Sequence, residues 1–196
     1  MAKIDEGACS LFYQYQIRDK NGKIKRNSRR YRAHSFVKGF LASIYQKMGY
    51  TNVAIVTTGD ITKTQYFAAG MQFSATAGNS WNNYSSGIQV GTGSNAVSID
   101  DTKLQTQIGA GTGVGQLNYG TCAVASPSST TTITQTIISR QFSNSSGGSI
   151  TINEVGLASY TSYYETIYVL CVRDTVSIPL SNGDQLTFNY IIQTTI

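Results

Sequence analysis

The sequence predicts an all-β protein: an antiparallel β-sandwich of jelly-roll or related topology, preceded by a β-hairpin and one amphipathic helix. Three observations support this prediction. Glycine is abundant (19 residues), proline is scarce (2) and tyrosine is frequent (13), a composition that suits strands joined by tight turns. Extended segments recur at short intervals without matching helices, which favours antiparallel pairing over βαβ units. An Asn-Gly pair near the N-terminus is a strong hairpin signal.

The hairpin and the helix occupy residues 1–50, which we predict to form an anchoring element distinct from a sandwich body at 51–196. Residues 11–17 and 23–32 are both predicted to be extended. They are joined by a turn at Asn21 and Gly22, two residues that accept positive φ.

Apolar residues at helical spacing predict a helix over residues 36–48. His34 or Ser35 can cap its start, and Gly49 can take the left-handed position after its end. The apolar positions cover about half of the helix circumference, and they are Phe36, Val37, Phe40, Leu41, Ile44, Tyr45 and Met48. This face either packs on the protein's own sheet or also docks on a neighbouring subunit through Phe36, Phe40, Leu41 and Ile44.

The body is predicted to be strands and turns. The expected strands are residues 53–57, 64–74, 87–91, 117–124, 130–142, 149–158, 165–173 and 185–195. One short helix is expected near residues 100–108, because Ser98 to Asp101 resembles a capping box and Leu104 and Ile108 lie four residues apart.

Positive charge is concentrated in the predicted hairpin. Residues 1–39 carry ten basic and three acidic side chains, whereas residues 40–196 carry five basic and seven acidic ones. The candidate binding residues are Lys23, Lys25, Arg26, Arg29, Arg30 and Arg32. Three interpretations stay open: contact with an acidic protein surface, which ranks first, contact with nucleic-acid phosphates, or a solvated face.

Enzymatic interpretations find little support in the sequence. The single histidine, His34, lies in the basic segment, and nothing places a nucleophile beside it. The adjacent pair Asp100 and Asp101 suits a helix start better than acid–base chemistry, and calcium ligation there lacks the usual ligand spacing. The glycine-rich segment 109–115 lacks the Lys-Ser/Thr and the helix of a phosphate loop, so we interpret it, like Gly91 to Gly93, as a turn. We therefore expect no catalytic residue, metal or cofactor.

The cysteines and the apolar pattern of the chain indicate the cellular compartment in which the protein is made. Cys9, Cys122 and Cys171 are odd in number and widely spaced, so we expect them to be reduced, without a disulfide framework or a zinc site. Neither a secretory signal nor a membrane-spanning apolar run is evident. We expect synthesis in a reducing cytoplasm and no membrane partner.

A polar loop at residues 75–87 holds the single tryptophan, Trp81, together with Tyr84. These rings either close the end of the core or contact a receptor. With Tyr160, Tyr163 and Tyr164, they favour the alternative function of a receptor- or carbohydrate-binding module.

Several segments in this order resemble a group of largely uncharacterised virion proteins of tailed phages and prophages. They are residues 18–23, 32–41, 88–104, 115–120, 142–157, 172–176 and 182–195. The resemblance spans nearly the whole chain and implies a virion component, but it brings no catalytic or ligand residues.

Together, these observations lead us to expect a non-enzymatic virion structural protein that works as a symmetric oligomer. The hairpin and the helix would anchor it to other capsid or tail proteins. Capsid decoration is favoured over a tail or baseplate position, because an acidic capsid lattice would attract a cationic arm.

Overall fold

A computed structural model describes residues 9–33, 36–49, 53–65, 72–75, 77, 84–162 and 166–195. The one α-helix in this part of the chain, α1, is Lys38–Gly49. The strands are β1 (Cys9–Arg18), β2 (Ile24–Asn27), β3 (Tyr31–Arg32), β4 (Val53–Val56), β5 (Thr62–Gln65), β6 (Gly87–Gly91), β7 (Asn118–Val124), β8 (Ser128–Ser129), β9 (Ile133–Ser143), β10 (Ile150–Ser162), β11 (Thr166–Leu180) and β12 (Gln185–Thr195).

The strands form three sheets in which every pair of strands is antiparallel. A seven-stranded sheet has the order β2-β1-β12-β9-β7, with β3 also beside β1 and β8 also beside β9. A three-stranded sheet has the order β11-β10-β6, and β4 pairs with β5. The predicted all-β antiparallel fold is therefore confirmed, whereas the sandwich and jelly-roll arrangement stays a prediction.

One hydrophobic core takes side chains from both larger sheets. In the seven-stranded sheet, alternate residues of β12 are fully buried, namely Leu186, Phe188 and Tyr190. Alternation of this kind follows from the two-residue period of a strand. Burying each such side chain stabilises the fold by about 1.5–3 kcal/mol.

A buried arginine joins the two larger sheets. Arg140 on β9 is fully buried, and its Nη1 donates to the carbonyl oxygens of Ser86 at 2.8 Å and Ile88 at 3.1 Å, beside and in β6. Its Nε donates to the carbonyl of Gly120 on β7 at 2.8 Å. Burial lowers the pKa of this guanidinium, but hydrogen bonds satisfy the charged group, which makes its burial tolerable.

The predicted hairpin is confirmed, although its turn differs from the expected one. Asp19 N donates to Lys23 O, and the Asp19 carboxylate accepts the N–H groups of Asn21 and Lys23, each at 2.9 Å. Only Gly22 has positive φ, at 81°, and Asn21 does not. The turn is thus a three-residue loop with one left-handed glycine, because Asp19 supplies an acceptor that closes it.

Helix α1 packs on β11 through small residues, and Phe36 and Phe40 of the predicted apolar face pack against the main core. A Cβ at Gly39 would lie 2.3 Å from the carbonyl oxygen of Leu170, and Ser43 is fully buried. Three residues of the predicted face are instead exposed: Leu41 (66%), Tyr45 (55%) and Met48 (82%). The predicted face is therefore buried only in part: Val37 is 1% exposed, but close backbone packing at Gly39 requires small side chains, which a hydrophobic pattern does not count.

The expected helix at residues 100–108 does not form. The local capping contacts exist, since Ser98 N donates to Asp101 Oδ2 at 2.8 Å. However, the N–H groups of Gln105 and Thr106 donate to the carboxylate of Glu154 at 3.0 and 2.8 Å. The carboxylate of Glu154 therefore accepts N–H groups that a helix would use for its own hydrogen bonds. Residues 99–108 form turns and bends instead.

The N-terminal strand belongs to the largest sheet. β1 pairs with β12 over ten residues, from Cys9↔Thr194 to Arg18↔Gln185. The division into an anchoring element at residues 1–50 and a body at 51–196 stays a prediction. Within the described part of the chain, no helix has the length and apolar character needed to cross a membrane.

Candidate protein-binding edge

The basic residues lie on one edge of the seven-stranded sheet, formed by β2 and β3. All four residues of β2 are exposed, and β3 pairs with β1 through Phe12↔Arg32 and Tyr13↔Tyr31. We define the basic edge as Lys23, Arg26, Arg29 and Arg32, four exposed cations along this segment. None of them forms an ion pair with an acidic side chain of the described residues.

The other two predicted binding residues are engaged within the protein. Lys25 Nζ forms an ion pair with Asp184 Oδ2 at 2.7 Å. Arg30 Nη2 donates to Gln193 Oε1 at 2.8 Å, and its guanidinium lies 4.1 Å from the centre of the Phe12 ring. Partial burial lowers the pKa of Arg30. These two residues attach the basic segment to β12 and to the loop before it.

Aromatic rings hold two arginines of the basic edge in place. The Arg29 guanidinium lies 5.0 Å from the ring centre of Tyr31. Tyr31 stacks on Tyr13 at 5.3 Å, and Tyr13 stacks on Phe188 at 5.5 Å. Arg26 similarly lies 5.4 Å from the ring centre of Tyr15. Cation–π contacts of this kind contribute about 0.5–1 kcal/mol at exposed sites, so they favour these positions of both guanidinium groups before a partner binds.

The edge is not shaped for addition of another strand. Between β2 and β3, Ser28 Oγ accepts the Tyr15 N–H at 2.8 Å. The pairing of β1 with β2 also shifts register between Ile17 and Arg18. Interruptions and positive charges are the usual protections of an exposed sheet edge. The edge therefore offers side chains, rather than free backbone groups, for recognition.

The charge of the edge comes from three guanidinium groups and the Lys23 ammonium group. Burial raises the pKa of the Tyr13 and Tyr15 hydroxyls beneath it, so these phenols stay neutral. The arrangement can bind carboxylate or phosphate groups through planar, bidentate hydrogen bonds.

The predicted docking residues of the helix have different environments. Phe36 and Phe40 stack on each other at 4.1 Å and pack against the main core. Ile44 is half-buried and Leu41 is exposed. Leu41 thus stays accessible to a partner, together with Tyr45 and Met48, which lie on the same side of the helix.

The predicted aromatic loop falls largely on residues that the structure does not describe. Trp81, Tyr163 and Tyr164 lie outside the described residues, as do His34 and Ser35. Tyr84 is half-buried and its ring centre lies 5.8 Å from that of Tyr119. Receptor contact through this loop stays a prediction.

The acidic and glycine-rich motifs have structural partners. Asp101 Oδ2 accepts Arg173 Nη1 at 2.8 Å, and Asp100 pairs with Lys38 at 3.1 Å. Gly93 N donates to the carboxylate of Glu154 at 3.2 Å, so the Gly91–Gly93 turn holds an internal carboxylate. Among the residues that the structure describes, no group of three or more His, Cys, Asp and Glu side chains is placed to hold a metal ion.

Sequence reasoning missed the buried ion pair beneath this turn. Arg173 and Glu154 are 1% and 0% exposed, and Arg173 Nε donates to Glu154 Oε2 at 2.8 Å. One signal existed: apolar strand residues lie beside each charge, Val155 next to Glu154 and Val172 next to Arg173, where an unpaired charge would be costly.

Comparisons with models of known protein families, with curated proteins and with solved structures find no match to this chain.

Proposed function

We propose that the chain is a non-enzymatic structural protein that attaches through the basic edge to an acidic protein surface. The observation that carries this proposal is the set of four exposed cations on one sheet edge without an acidic partner among the described residues. Surface charges of this kind steer association and set the orientation of a partner. Lys25 and Arg30 support the edge by fastening it to the rest of the sheet.

The aromatic rings favour a protein partner over nucleic acid. Proteins that bind single-stranded nucleic acid combine cationic side chains with exposed aromatic faces on which bases stack. Here Tyr15 is only 5% exposed, Phe12 is covered by Arg30, and Tyr31 lies between Arg29 and Tyr13. The rings hold guanidinium groups, and such ordered groups suit carboxylates.

The setting we propose is a tailed-phage particle, an expectation that rests on the sequence resemblance. The protein would be a symmetric oligomer on the virion. Capsid decoration ranks above a tail or baseplate position, for the electrostatic reason given above. The exposed helix residues Leu41, Tyr45 and Met48 add an apolar contact to the attachment.

Binding to a fluorescein-labelled glutamate-rich peptide, followed by fluorescence anisotropy, tests the partner class. Single-stranded DNA of equal charge is the competing probe. A variant in which serine replaces four residues should bind the peptide at least about fourfold more weakly, because exposed ion pairs contribute roughly 0.2–1 kcal/mol each. The four are Lys23, Arg26, Arg29 and Arg32.

Two further variants serve as controls in this experiment. Arg26→Lys with Arg29→Lys keeps the net charge but removes bidentate geometry, and it should fall between the wild type and the serine variant. Lys103→Ser removes an exposed cation from another surface and should bind as the wild type does. Equal binding by the serine variant, or tighter binding of DNA than of peptide, would contradict the proposal.

A further inference from the structure

A cavity lies beside β6, on the side of the three-stranded sheet that faces away from the main core. Ile88 and Val90 of β6 belong to that core, so Gln89 between them points to the opposite side. The cavity has a volume of about 250 Å³. Since pockets for drug-sized ligands have roughly 300–1,000 Å³, this one suits a smaller molecule. It is lined by Thr58, Ser85, Gln89, Lys103, Leu104 and Gln107.

Two glutamine amides of the cavity are held in fixed orientations by the backbone that precedes β6. Gln89 is 2% exposed, and its Nε2 donates to Ser85 O at 2.7 Å and to Tyr84 O at 3.4 Å. Gln107 Nε2 donates to the same Tyr84 carbonyl at 2.9 Å. In both side chains the amide nitrogen is therefore directed into the protein.

The amide oxygen of Gln89 is left for a ligand. Its nitrogen is the end of the amide that is bonded to the protein, and no group in the described part of the chain donates a hydrogen bond to Oε1. A nearly buried acceptor without a donor is costly. A ligand that brings an O–H or N–H group to this oxygen would remove that cost.

The charges and the apolar wall of the cavity restrict the class of ligand. Lys103 lies at the rim, but its ammonium group is paired with the carboxylate of Asp60, which also accepts Thr102 Oγ1 at 2.9 Å. A phosphate or carboxylate ligand would have to compete with Asp60. An entirely apolar molecule would leave Gln89 without a donor. Leu104, which is 4% exposed, adds one apolar side chain, so the cavity favours a small, neutral molecule with several hydroxyl groups.

We propose that this cavity binds one neutral sugar ring. Sugar hydroxyls both donate and accept hydrogen bonds, so they can donate to Gln89 Oε1 and bond with the Thr58 hydroxyl and the Gln107 amide, while ring C–H groups contact Leu104. The Thr58 backbone is fixed, because its N–H donates to Tyr168 O at 2.9 Å. The site lies on a different sheet from the basic edge, and it does not depend on the proposed attachment to an acidic surface.

Ligand-observed NMR tests the site with the full chain. Saturation-transfer difference spectra are recorded with glucose, galactose, mannose and N-acetylglucosamine, each as the free sugar and as its methyl glycoside. A concentration of about 10 mM is sufficient, because a ligand of about twelve heavy atoms is expected to bind with a millimolar dissociation constant. At least one sugar should show saturation transfer. Binding of both forms assigns the site to the end of a glycan, and binding of the free form alone assigns it to a free monosaccharide.

Two variants test the residues of the site. Gln89→Met and, separately, Gln107→Met remove an amide and keep the length of the side chain. Each should weaken the binding of that sugar by about fivefold, the contribution of one ordinary hydrogen bond. Gln141→Met, at an exposed position of β9, is the matched control and should bind as the wild type does.

Far-UV circular dichroism and a melting curve show whether each variant is folded, and if Gln89→Met does not fold, Gln107→Met decides. Absence of saturation transfer to every sugar overturns the proposal, and so does unchanged affinity in the folded variants. Inorganic phosphate at the same concentration should not displace the sugar, and displacement would overturn the assignment of a neutral ligand. Peptide binding by the basic edge is measured separately, so either proposal can fail alone.

Discussion

Replacing Gly39 by alanine tests the close approach of α1 to β11. The added Cβ would lie 2.3 Å from the Leu170 carbonyl oxygen and 2.7 Å from Val169 Cγ1. Real Cβ atoms do not approach other atoms so closely, and the carbonyl belongs to a strand that is hydrogen-bonded to β10. The helix would have to move away from the sheet.

Two opposing effects set the magnitude. Alanine is favoured over glycine in a helix interior by up to about 1 kcal/mol, whereas overpacking typically costs about 1–3 kcal/mol. The clash involves backbone atoms, so its cost lies toward the upper end. We expect the free energy of unfolding to fall by about 1–2 kcal/mol.

Urea unfolding followed by far-UV circular dichroism measures this difference. Gly59→Ala is the matched control, because its Cβ would meet only Thr57 Oγ1 at 3.7 Å and its φ is not positive. Its free energy of unfolding should change by less than about 0.5 kcal/mol. A Gly39→Ala protein as stable as the wild type would refute the packing of α1 through small residues.

Three further results are expected. Arg173→Met should lower the free energy of unfolding by about 3–5 kcal/mol in urea titrations, because it leaves Glu154 buried without its cation; a loss below about 1 kcal/mol would contradict a buried pair. Burial raises the pKa of Cys171 from 9.0 to about 11, so stability present below pH 9 should be lost as the pH rises toward 11, by about 2–3 kcal/mol for this thiol. Cys171→Ala should show a shallower alkaline loss, and an equal loss would exclude this thiol as the cause. In native protein only Cys9 is an exposed cysteine, so a thiol reagent should react rapidly with one thiol and not with three.

Local sequence signals predicted the strands and turns well. Strands β6 and β12 have the predicted bounds, since alternating patterns and flanking turn residues act between near neighbours. β11 extends past the predicted residue 173 to Leu180, through an exposed Pro179. Proline is tolerated there because β11 is an edge strand whose N–H need not pair.

Predictions that depended on distant partners were less successful. The predicted helix at residues 100–108 does not form, because the N–H groups of Gln105 and Thr106 donate hydrogen bonds to the carboxylate of Glu154 on β10. In the candidate site, the position of the basic residues on one hairpin followed from the sequence. The sequence could not show that Lys25 pairs with Asp184 or that Arg30 covers Phe12, because these partners are brought together by the pairing of β1 with β12.

The sequence by itself determined that the chain is mostly antiparallel β-structure with one helix and a concentrated positive charge. Hydrophobic period, turn chemistry and charge counts are local properties, and they need no knowledge of the packing. Only the tertiary structure decided which cations are exposed, which side of α1 is buried and where Arg140, Glu154 and Arg173 are placed. The physical reason is that burying a charge or bringing two backbones into contact depends on groups far apart in the chain, which folding alone places side by side.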